Sequence, residues 1–326
     1  MDAAHDVAAR FARFARDEAP GRSALYAQWA AGVAADGDLC ALLATIPATH
    51  RQPPLVFAVT RMLGAPEEDY PEWAMWVRTH ASAVVAECSR RSLQTNEPLR
   101  CAALLPAFAD IAGPLALLEI GASAGLCLYP DRYSYRYAPG PDLDPAEAVS
   151  PVVLHSAYRG DGPALRLPEV VWRAGIDLAP LDAADPADRG FLTSLVWPGE
   201  QARFERIEAA LDLVAADPPV LVAGDATAPG VLEGVAALAP AGATLVVTLP
   251  GVLPHIPRAG RERIVETLDE LGVRWVSIEP PGAMQSEAGR DRWNGFVLRR
   301  NGRVLAAVDP LGAFVEWHAD REGIRG

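Results

Sequence analysis

The chain has 326 residues, of which 50% are hydrophobic and 22% charged, a composition usual for a globular protein. Its formal net charge is −13, and it contains no lysine, so all 29 basic residues are arginine. The acidic balance argues against a nucleic-acid partner, because a phosphate backbone would be repelled. The absence of lysine excludes a Schiff base to pyridoxal phosphate, a P-loop lysine and a lysine general base.

Residues 1–112 predict a helical N-terminal region, because apolar side chains recur at helical spacing, as they do from Trp73 to Cys88. We expect this region to act as a lid or substrate wall. The first residues form an amphipathic pattern and not a signal peptide, and no stretch of about 18 uncharged apolar residues occurs. The four cysteines and six histidines lack metal-ligand spacing, so we predict no metal site. The sequence therefore predicts a cytoplasmic protein that does not enter a membrane.

From residue 113 to 326, short apolar runs alternate with amphipathic helices, which is typical of a parallel sheet. The five runs are 115–120, 169–172, 220–223, 244–249 and 273–278. An Asn301-Gly302 turn between 296–300 and 303–308 predicts a closing antiparallel hairpin. The fold class predicted is α/β, with a doubly wound, mainly parallel seven-stranded sheet. A long insertion at about 126–168 interrupts it, and its structure is not assigned.

A glycine-rich turn, Glu119–Gly125 (EIGASAG), follows the first apolar run directly. Small residues let the backbone approach a ligand closely, and we expect unbonded N–H groups to point at that ligand. Binding of a dinucleotide is disfavoured, because Ser123 and Leu126 stand where G-x-G-x-x-G requires glycine.

The same turn matches the G-x-S-x-G pattern of serine hydrolases, with Ser123 as nucleophile. An acid and a histidine must then follow, for example Asp225 or Asp309 with His255 or His318. Only helices precede the turn, whereas such hydrolases usually place several strands before it. A serine hydrolase is therefore the weaker alternative.

Binding of S-adenosylmethionine is favoured. Glu119 supplies an acidic residue before the turn, whose small residues would surround the methionine and ribose parts of the cofactor. The turn residues in this role are Gly121, Ala122, Ser123 and Gly125.

Two further acids follow the second and third predicted strands. We expect Asp177 to accept hydrogen bonds from ribose hydroxyls, and Asp225 with Ala226 to contact the adenine. Acids at neighbouring strand ends share the edge at which open α/β sheets bind ligands. For each acid, a helix N-cap is the competing interpretation.

The candidate catalytic residues are His255 and Asp131. His255 follows the fourth strand and has the pKa range of a general base that removes a proton from the methyl acceptor. Asp131 is close to the turn and would hold a substrate amine or the methionine end of the cofactor. The competing interpretations are a loop histidine bonded to backbone and an Asp-Arg surface pair. Tyr133, Tyr135 and Tyr137 alternate, so they share one face of a strand. They would line an aromatic or cationic pocket, although plain packing is favoured.

Several stretches together resemble a bacterial family, domain of unknown function 2332. They are QTNEPLRCAALLP (94–106), LLEIGASAGLCLYPDRYSY (117–135), WRAGIDLAPLDAADPADR (172–189), VWPGEQARFERIEAAL (196–211) and AAVDPLG (306–312). The resemblance implies a class I methyltransferase-like fold. The chain departs from the family pattern at Cys127, where Asn is common, and at 248–257, where Ser-Val-x-x-x-Tyr-Leu-Pro is frequent.

The sequence thus predicts an S-adenosylmethionine-dependent methyltransferase that acts on a small molecule. The alternatives are a non-catalytic protein that binds the same cofactor or a nucleoside, and the serine hydrolase using Ser123.

Overall fold

A computed structural model describes residues 3–283 and 295–318. In this part of the chain, the α-helices are α1 (Ala3–Asp17), α2 (Ala24–Ala35), α3 (Gly37–Leu43), α4 (Pro53–Met62), α5 (Tyr70–Thr79), α6 (Ala81–Arg90), α7 (Arg100–Phe108), α8 (Pro186–Ser194), α9 (Gln201–Ala216), α10 (Val231–Ala236) and α11 (Arg258–Glu270). The strands are β1 (Leu115–Ile120), β2 (Ser134–Ala138), β3 (Asp142–Leu143), β4 (Val153–Arg159), β5 (Val170–Asp177), β6 (Val220–Ala223), β7 (Thr244–Pro250), β8 (Arg274–Glu279), β9 (Phe296–Arg300), β10 (Arg303–Val308) and β11 (Phe314–Trp317). Short 3₁₀ helices occur at Ala48–His50, Leu126–Leu128 and Leu253–His255.

The chain divides into two compact units, 1–95 with 185–208, and 96–184 with 209–326. The first unit is helical, and its core is aromatic: Trp29 stacks on Trp73 with ring centroids 4.9 Å apart. Within this unit the Arg61 guanidinium donates to the carbonyl oxygens of Ser194 and Val196. The predicted division at residue 112 and the role of the helical region as a lid stay predictions.

The strands of the second unit form one sheet in the order β3-β2-β4-β11-β10-β9-β8-β7-β1-β5-β6. The five predicted apolar runs are present as the parallel strands β1 and β5 to β8. On one side of β1 lie β5 and then β6. On its other side lie β7 and then β8. The switch point of the parallel part therefore lies between β1 and β7, where open α/β sheets bind ligands at their carboxyl ends.

The predicted doubly wound, mainly parallel seven-stranded sheet is wrong. The described sheet has eleven strands, and antiparallel pairs join β8 through β11. The difference arises in the unassigned insertion, which forms β2, β3 and β4 and joins the far side of the sheet through β11. Within the described stretch from β1 to β5, these strands and a 3₁₀ helix replace the crossover helix that a doubly wound fold requires.

The predicted closing hairpin is confirmed as β9 and β10. Asn301 and Gly302 at its turn have φ of 48° and 76°, as a two-residue type I′ turn requires. The Asn301 side-chain oxygen also accepts from the N–H of Trp275, which ties the turn to β8.

One face of the parallel strands packs its apolar side chains against α10 and α11. This cluster contains Leu118, Ile176 and Val247 from the strands and Leu232 and Leu268 from the helices. Burial of such side chains is the main source of stability for a sheet of this kind. Within the described residues, no helix combines the length and the apolar character needed to cross a bilayer.

Candidate ligand-binding site at the switch point

The glycine-rich turn leaves β1 with left-handed backbone at three positions. Gly121, Ser123 and Gly125 have φ of 77°, 53° and 78°. The turn lies against β5, because Gly175 has no side chain: a β-carbon there would be 2.3 Å from the Ala122 β-carbon. The chain can adopt this conformation at low cost only where glycine, or a small polar residue such as Ser123, stands.

The backbone N–H groups of the turn have partners inside the protein. Gly121 donates to the Ile176 carbonyl at 2.8 Å, and Gly125 donates to Ala122 at 2.7 Å. Ala122 also donates to the Ile176 carbonyl. The Ser123 N–H donates to Asp177 Oδ2 at 2.8 Å. The expectation of unbonded N–H groups in this turn is therefore wrong.

Asn96 holds the last part of the turn. Its side-chain oxygen accepts from the Ala124 N–H at 3.3 Å, and its amide nitrogen donates to the Ser123 hydroxyl. Asn96 belongs to the segment that precedes α7. The conformation of Ser123 is compatible with a strained nucleophile turn, but its hydroxyl oxygen already accepts this hydrogen bond.

Glu119 is the predicted acidic residue before the turn, and it is buried, with a relative exposure of 3%. Among the described residues, its Oε2 atom has no hydrogen-bond partner. Burial raises the pKa of this carboxyl well above its usual range, and the Arg100 charge offsets this only in part. On β7, the register partner of Glu119 is Thr248, whose buried hydroxyl also lacks a partner.

A second buried carboxyl, Glu279, ends β8 and was not identified from the sequence. Its Oε1 accepts the N–H groups of Val252 and Leu253, each at 3.1 Å, while its Oε2 has no partner in the part of the chain that the structure describes. Burial raises the pKa of Glu279 to about 8, against the opposing influence of these amides and of Arg100. The Arg100 guanidinium is fixed by the Pro250 and Pro310 carbonyls, at 2.6 Å and 2.9 Å.

Asp177 is the last residue of β5 and Asp225 follows β6, and both side chains accept hydrogen bonds from backbone N–H groups. Besides Ser123, Asp177 accepts from the Ala179 N–H at 2.9 Å. Asp225 is exposed, and its Oδ1 accepts from both the N–H and the hydroxyl of Thr227. Ala226 packs on the apolar cluster under the sheet. Both acids thus bind groups of the protein itself in this structure. Their contribution to a cofactor site stays a prediction.

The two candidate catalytic residues lie in different surroundings. His255 is exposed in the 3₁₀ helix after β7. Asp131 forms an ion pair of 2.8 Å with Arg173, and both side chains are largely buried. Arg173 pairs in register with Leu117, which comes two residues before Glu119 on β1. The Asp131–Arg173 ion pair is therefore farther from the carboxyl ends of the strands than Glu119 is. Their catalytic roles stay predictions, and the structure does not bring Asp131 to the strand ends.

The three tyrosines of the insertion are structural, which confirms the packing interpretation. Tyr133, Tyr135 and Tyr137 are buried. Their hydroxyl groups donate to backbone carbonyls of Leu126, Pro130 and Ala102, respectively. They leave no phenol directed at a ligand.

A cavity adjoins the glycine-rich turn on one side, and Val252 packs against the turn on the other. A cavity of about 320 Å³ borders Ala124, and its walls include Leu181, Pro219 and Leu221. On the Gly121 side the space is filled: a β-carbon on Gly121 would be 2.6 Å from Val252 Cγ2. Ala124 itself is fully buried, whereas Gly121 is the partly exposed residue of the turn.

The fold and site define an α/β protein with a mixed sheet and a glycine-rich turn at its switch point. The profile of a family of uncharacterized proteins conserved in bacteria, domain of unknown function 2332, matches residues 8–317. The chain belongs to this family, as the sequence motifs predicted. No curated protein and no solved structure matches it.

Proposed function

We propose that this protein binds S-adenosylmethionine at the carboxyl ends of β1 and β7 and transfers its methyl group to a small molecule. The observation that carries the proposal is a pair of buried oxygens, Glu119 Oε2 and Thr248 Oγ1, on adjacent strands at the switch point. Neither has a hydrogen-bond partner within residues 3–283 and 295–318. A buried polar atom without a partner costs about 1–3 kcal/mol, so a ligand that supplies N–H donors gains that energy on binding.

The charge of the site supports a ligand with a cationic end. Burial raises the pKa of Glu119, and an ammonium group beside it would favour the ionised form and a charge-assisted hydrogen bond. The amides of the turn are already bonded, so a phosphate has no free donors there. An amino-acid ammonium is therefore better suited to this site than a dinucleotide pyrophosphate.

The chemistry required of the protein is modest. S-adenosylmethionine supplies an activated methyl group on a sulfonium, and the enzyme aligns the acceptor and excludes water. Glu119 and Thr248 bind and orient the cofactor. Asp177, bonded to the Ser123 N–H, keeps the turn in position against β5.

Thermal denaturation in the presence of S-adenosylmethionine or S-adenosylhomocysteine tests this proposal. At a hundredfold excess over Kd, either ligand should stabilise the protein by about 2.7 kcal/mol. Glu119→Gln keeps the size of the side chain and removes its charge, and it should weaken binding by roughly tenfold to a hundredfold. NAD serves as the ligand control and should produce no shift. Equal shifts for the wild type and Glu119→Gln would contradict the proposed site.

The serine hydrolase alternative predicts a different result. A fluorophosphonate would then label the protein at Ser123, and Ser123→Ala would abolish labelling. The methyltransferase proposal predicts no labelling and expects Ser123→Ala to retain binding of S-adenosylhomocysteine.

A further inference from the structure

Arg100, the first residue of α7, brings a buried guanidinium to the carboxyl end of β7. The residue is 7% exposed. Its Nη1 donates to the Pro250 carbonyl at 2.6 Å and its Nε to the Pro310 carbonyl at 2.9 Å, so the group is held at two points. The third nitrogen, Nη2, has no hydrogen-bond partner among the residues described. A guanidinium has five N–H donors and stays charged in proteins, so part of its donor capacity is unused.

The charge of Arg100 is not balanced by an ion pair. Within residues 3–283 and 295–318, no carboxylate forms an ion pair with it. Two carboxyls, Glu119 and Glu279, are close enough for its charge to act on them. Burial raises the pKa of both, to about 8 for Glu279, which favours their uncharged forms near neutral pH. A buried cation without a counter-ion is costly, and an anionic ligand would reduce that cost.

The surroundings of Nη2 are partly exposed. Gly251 has a φ of 84° and presents no side chain to the guanidinium, since a β-carbon there would be 2.9 Å from Nη2. Gly251, Val252 and Gly121 are each partly exposed, and Val252 packs against Gly121. Pro250 comes two residues after Thr248 on β7. The Arg100 guanidinium therefore lies at the same strand ends as the proposed ligand site.

We propose that Arg100 binds a carboxylate group, with Nη2 as a donor to one of the carboxylate oxygens. Hydrogen bonds between charged groups are roughly twice as strong as neutral ones, and a guanidinium matches a carboxylate in shape. Two sources supply this chemistry: the methionine end of the cofactor and a carboxylate on the methyl acceptor. The first source rests on the proposed function, whereas a carboxylate of another small molecule can bind Arg100 without it.

Thermal denaturation of the full chain in acetate and in chloride, at equal ionic strength, tests the site without the cofactor. Acetate should raise the Tm of the wild type above its value in chloride, and this difference should be lost in Arg100→Gln. Arg300→Gln is the matched control, because Arg300 is equally buried and donates to the Ala107 carbonyl at 3.2 Å. Arg300 pairs with Val276, three residues before Glu279, so it lies away from the strand ends, and Arg300→Gln should keep the acetate effect.

Calorimetry with two nucleosides distinguishes the sources. S-adenosyl-3-thiopropylamine keeps the ammonium of S-adenosylhomocysteine and lacks only its carboxylate. If the cofactor supplies the carboxylate, the wild type should bind S-adenosylhomocysteine about tenfold more tightly than this amine, and Arg100→Gln should lose the preference. If the acceptor supplies it, the two nucleosides should bind equally, and acetate should still stabilise the protein saturated with S-adenosylhomocysteine.

The outcomes separate this site from the proposed function. An acetate effect that depends on Arg100, without binding of either nucleoside, would support the carboxylate site and contradict the proposed function. Equal Tm values in acetate and chloride, together with equal binding of the two nucleosides, would overturn the carboxylate site. If Arg100→Gln does not fold, Arg100→Lys keeps the charge without the planar fork and should reduce the acetate effect severalfold.

Discussion

Glu119 and Thr248 lie opposite each other on β1 and β7, and each carries a buried oxygen that has no hydrogen-bond partner among the residues described. Both strands end at the switch point of the parallel part of the sheet. Buried polar atoms without partners lower the stability of the fold. Ligand binding therefore explains better than folding why two of them lie side by side.

This pair predicts opposite effects on stability and binding. Thr248→Val keeps the shape of the side chain and removes the unpartnered hydroxyl, so the ligand-free protein should gain up to about 1 kcal/mol in free energy of unfolding. Binding of S-adenosylhomocysteine should weaken by several-fold. Urea denaturation and calorimetry measure the two effects, and a loss of stability together with unchanged binding would refute the role of Thr248.

The buried carboxyl of Glu279 predicts a dependence of stability on pH. Its pKa rises from an ordinary value of 4.5 to about 8 on folding. The folded state therefore holds this proton more strongly than the unfolded chain, and the contribution to stability is fully present below about pH 4.5 and lost as pH rises through about 8.

Glu279→Gln should consequently become more stable relative to the wild type between pH 5 and pH 9. The relative gain is at most about 5 kcal/mol for this shift in pKa. The pKa of Glu119 is raised in the same direction, so comparison with this single variant isolates Glu279. Urea denaturation at several pH values provides the measurement, and a difference that does not vary with pH would contradict the assignment.

The ion pair of Asp131 and Arg173 should be structural. Arg173→Met leaves a buried carboxyl without its partner and should lower the free energy of unfolding by roughly 3–5 kcal/mol. Asp131→Asn should also destabilise the protein while leaving the Kd for S-adenosylhomocysteine unchanged. A large rise in that Kd, in a variant that remains folded, would instead place Asp131 in the binding site.

The contact between the turn and β5 depends on Gly175. Gly175→Ala would place its β-carbon 2.3 Å from that of Ala122, so it should cost about 1–3 kcal/mol and weaken ligand binding. Gly234→Ala is the matched control, since a β-carbon there meets no atom within 4 Å and the site is helical. Equal stability of the two variants would show that the turn can move away from β5 without cost.

The parallel part of the sheet was predictable because its strands are nearly continuous apolar runs, a local pattern. The closing hairpin was predictable from Asn301-Gly302 for the same reason. The alternation of Tyr133, Tyr135 and Tyr137 indicated a strand where β2 lies, whereas β3 and β4 were missed. Their place beside β11 depends on pairing between residues more than 150 positions apart, as in Ala157 with Phe314.

The candidate site was only partly predictable. Glu119 and the glycine-rich turn were identified because they form a short, contiguous motif. Arg100 and Glu279 were missed because their partners are remote in sequence: Arg100 bonds Pro250 and Pro310, and Glu279 bonds the backbone after β7. An acid directly after the apolar run of β8 was the one local signal for Glu279.

Calorimetric titration of the wild-type protein with S-adenosylhomocysteine measures directly whether Glu119 and the Gly121 turn bind this cofactor. We expect one site per chain and a heat of binding that is strongly reduced in Glu119→Gln. The absence of heat, at ligand concentrations up to the millimolar range, would contradict the claim that Glu119 and the Gly121 turn bind this cofactor.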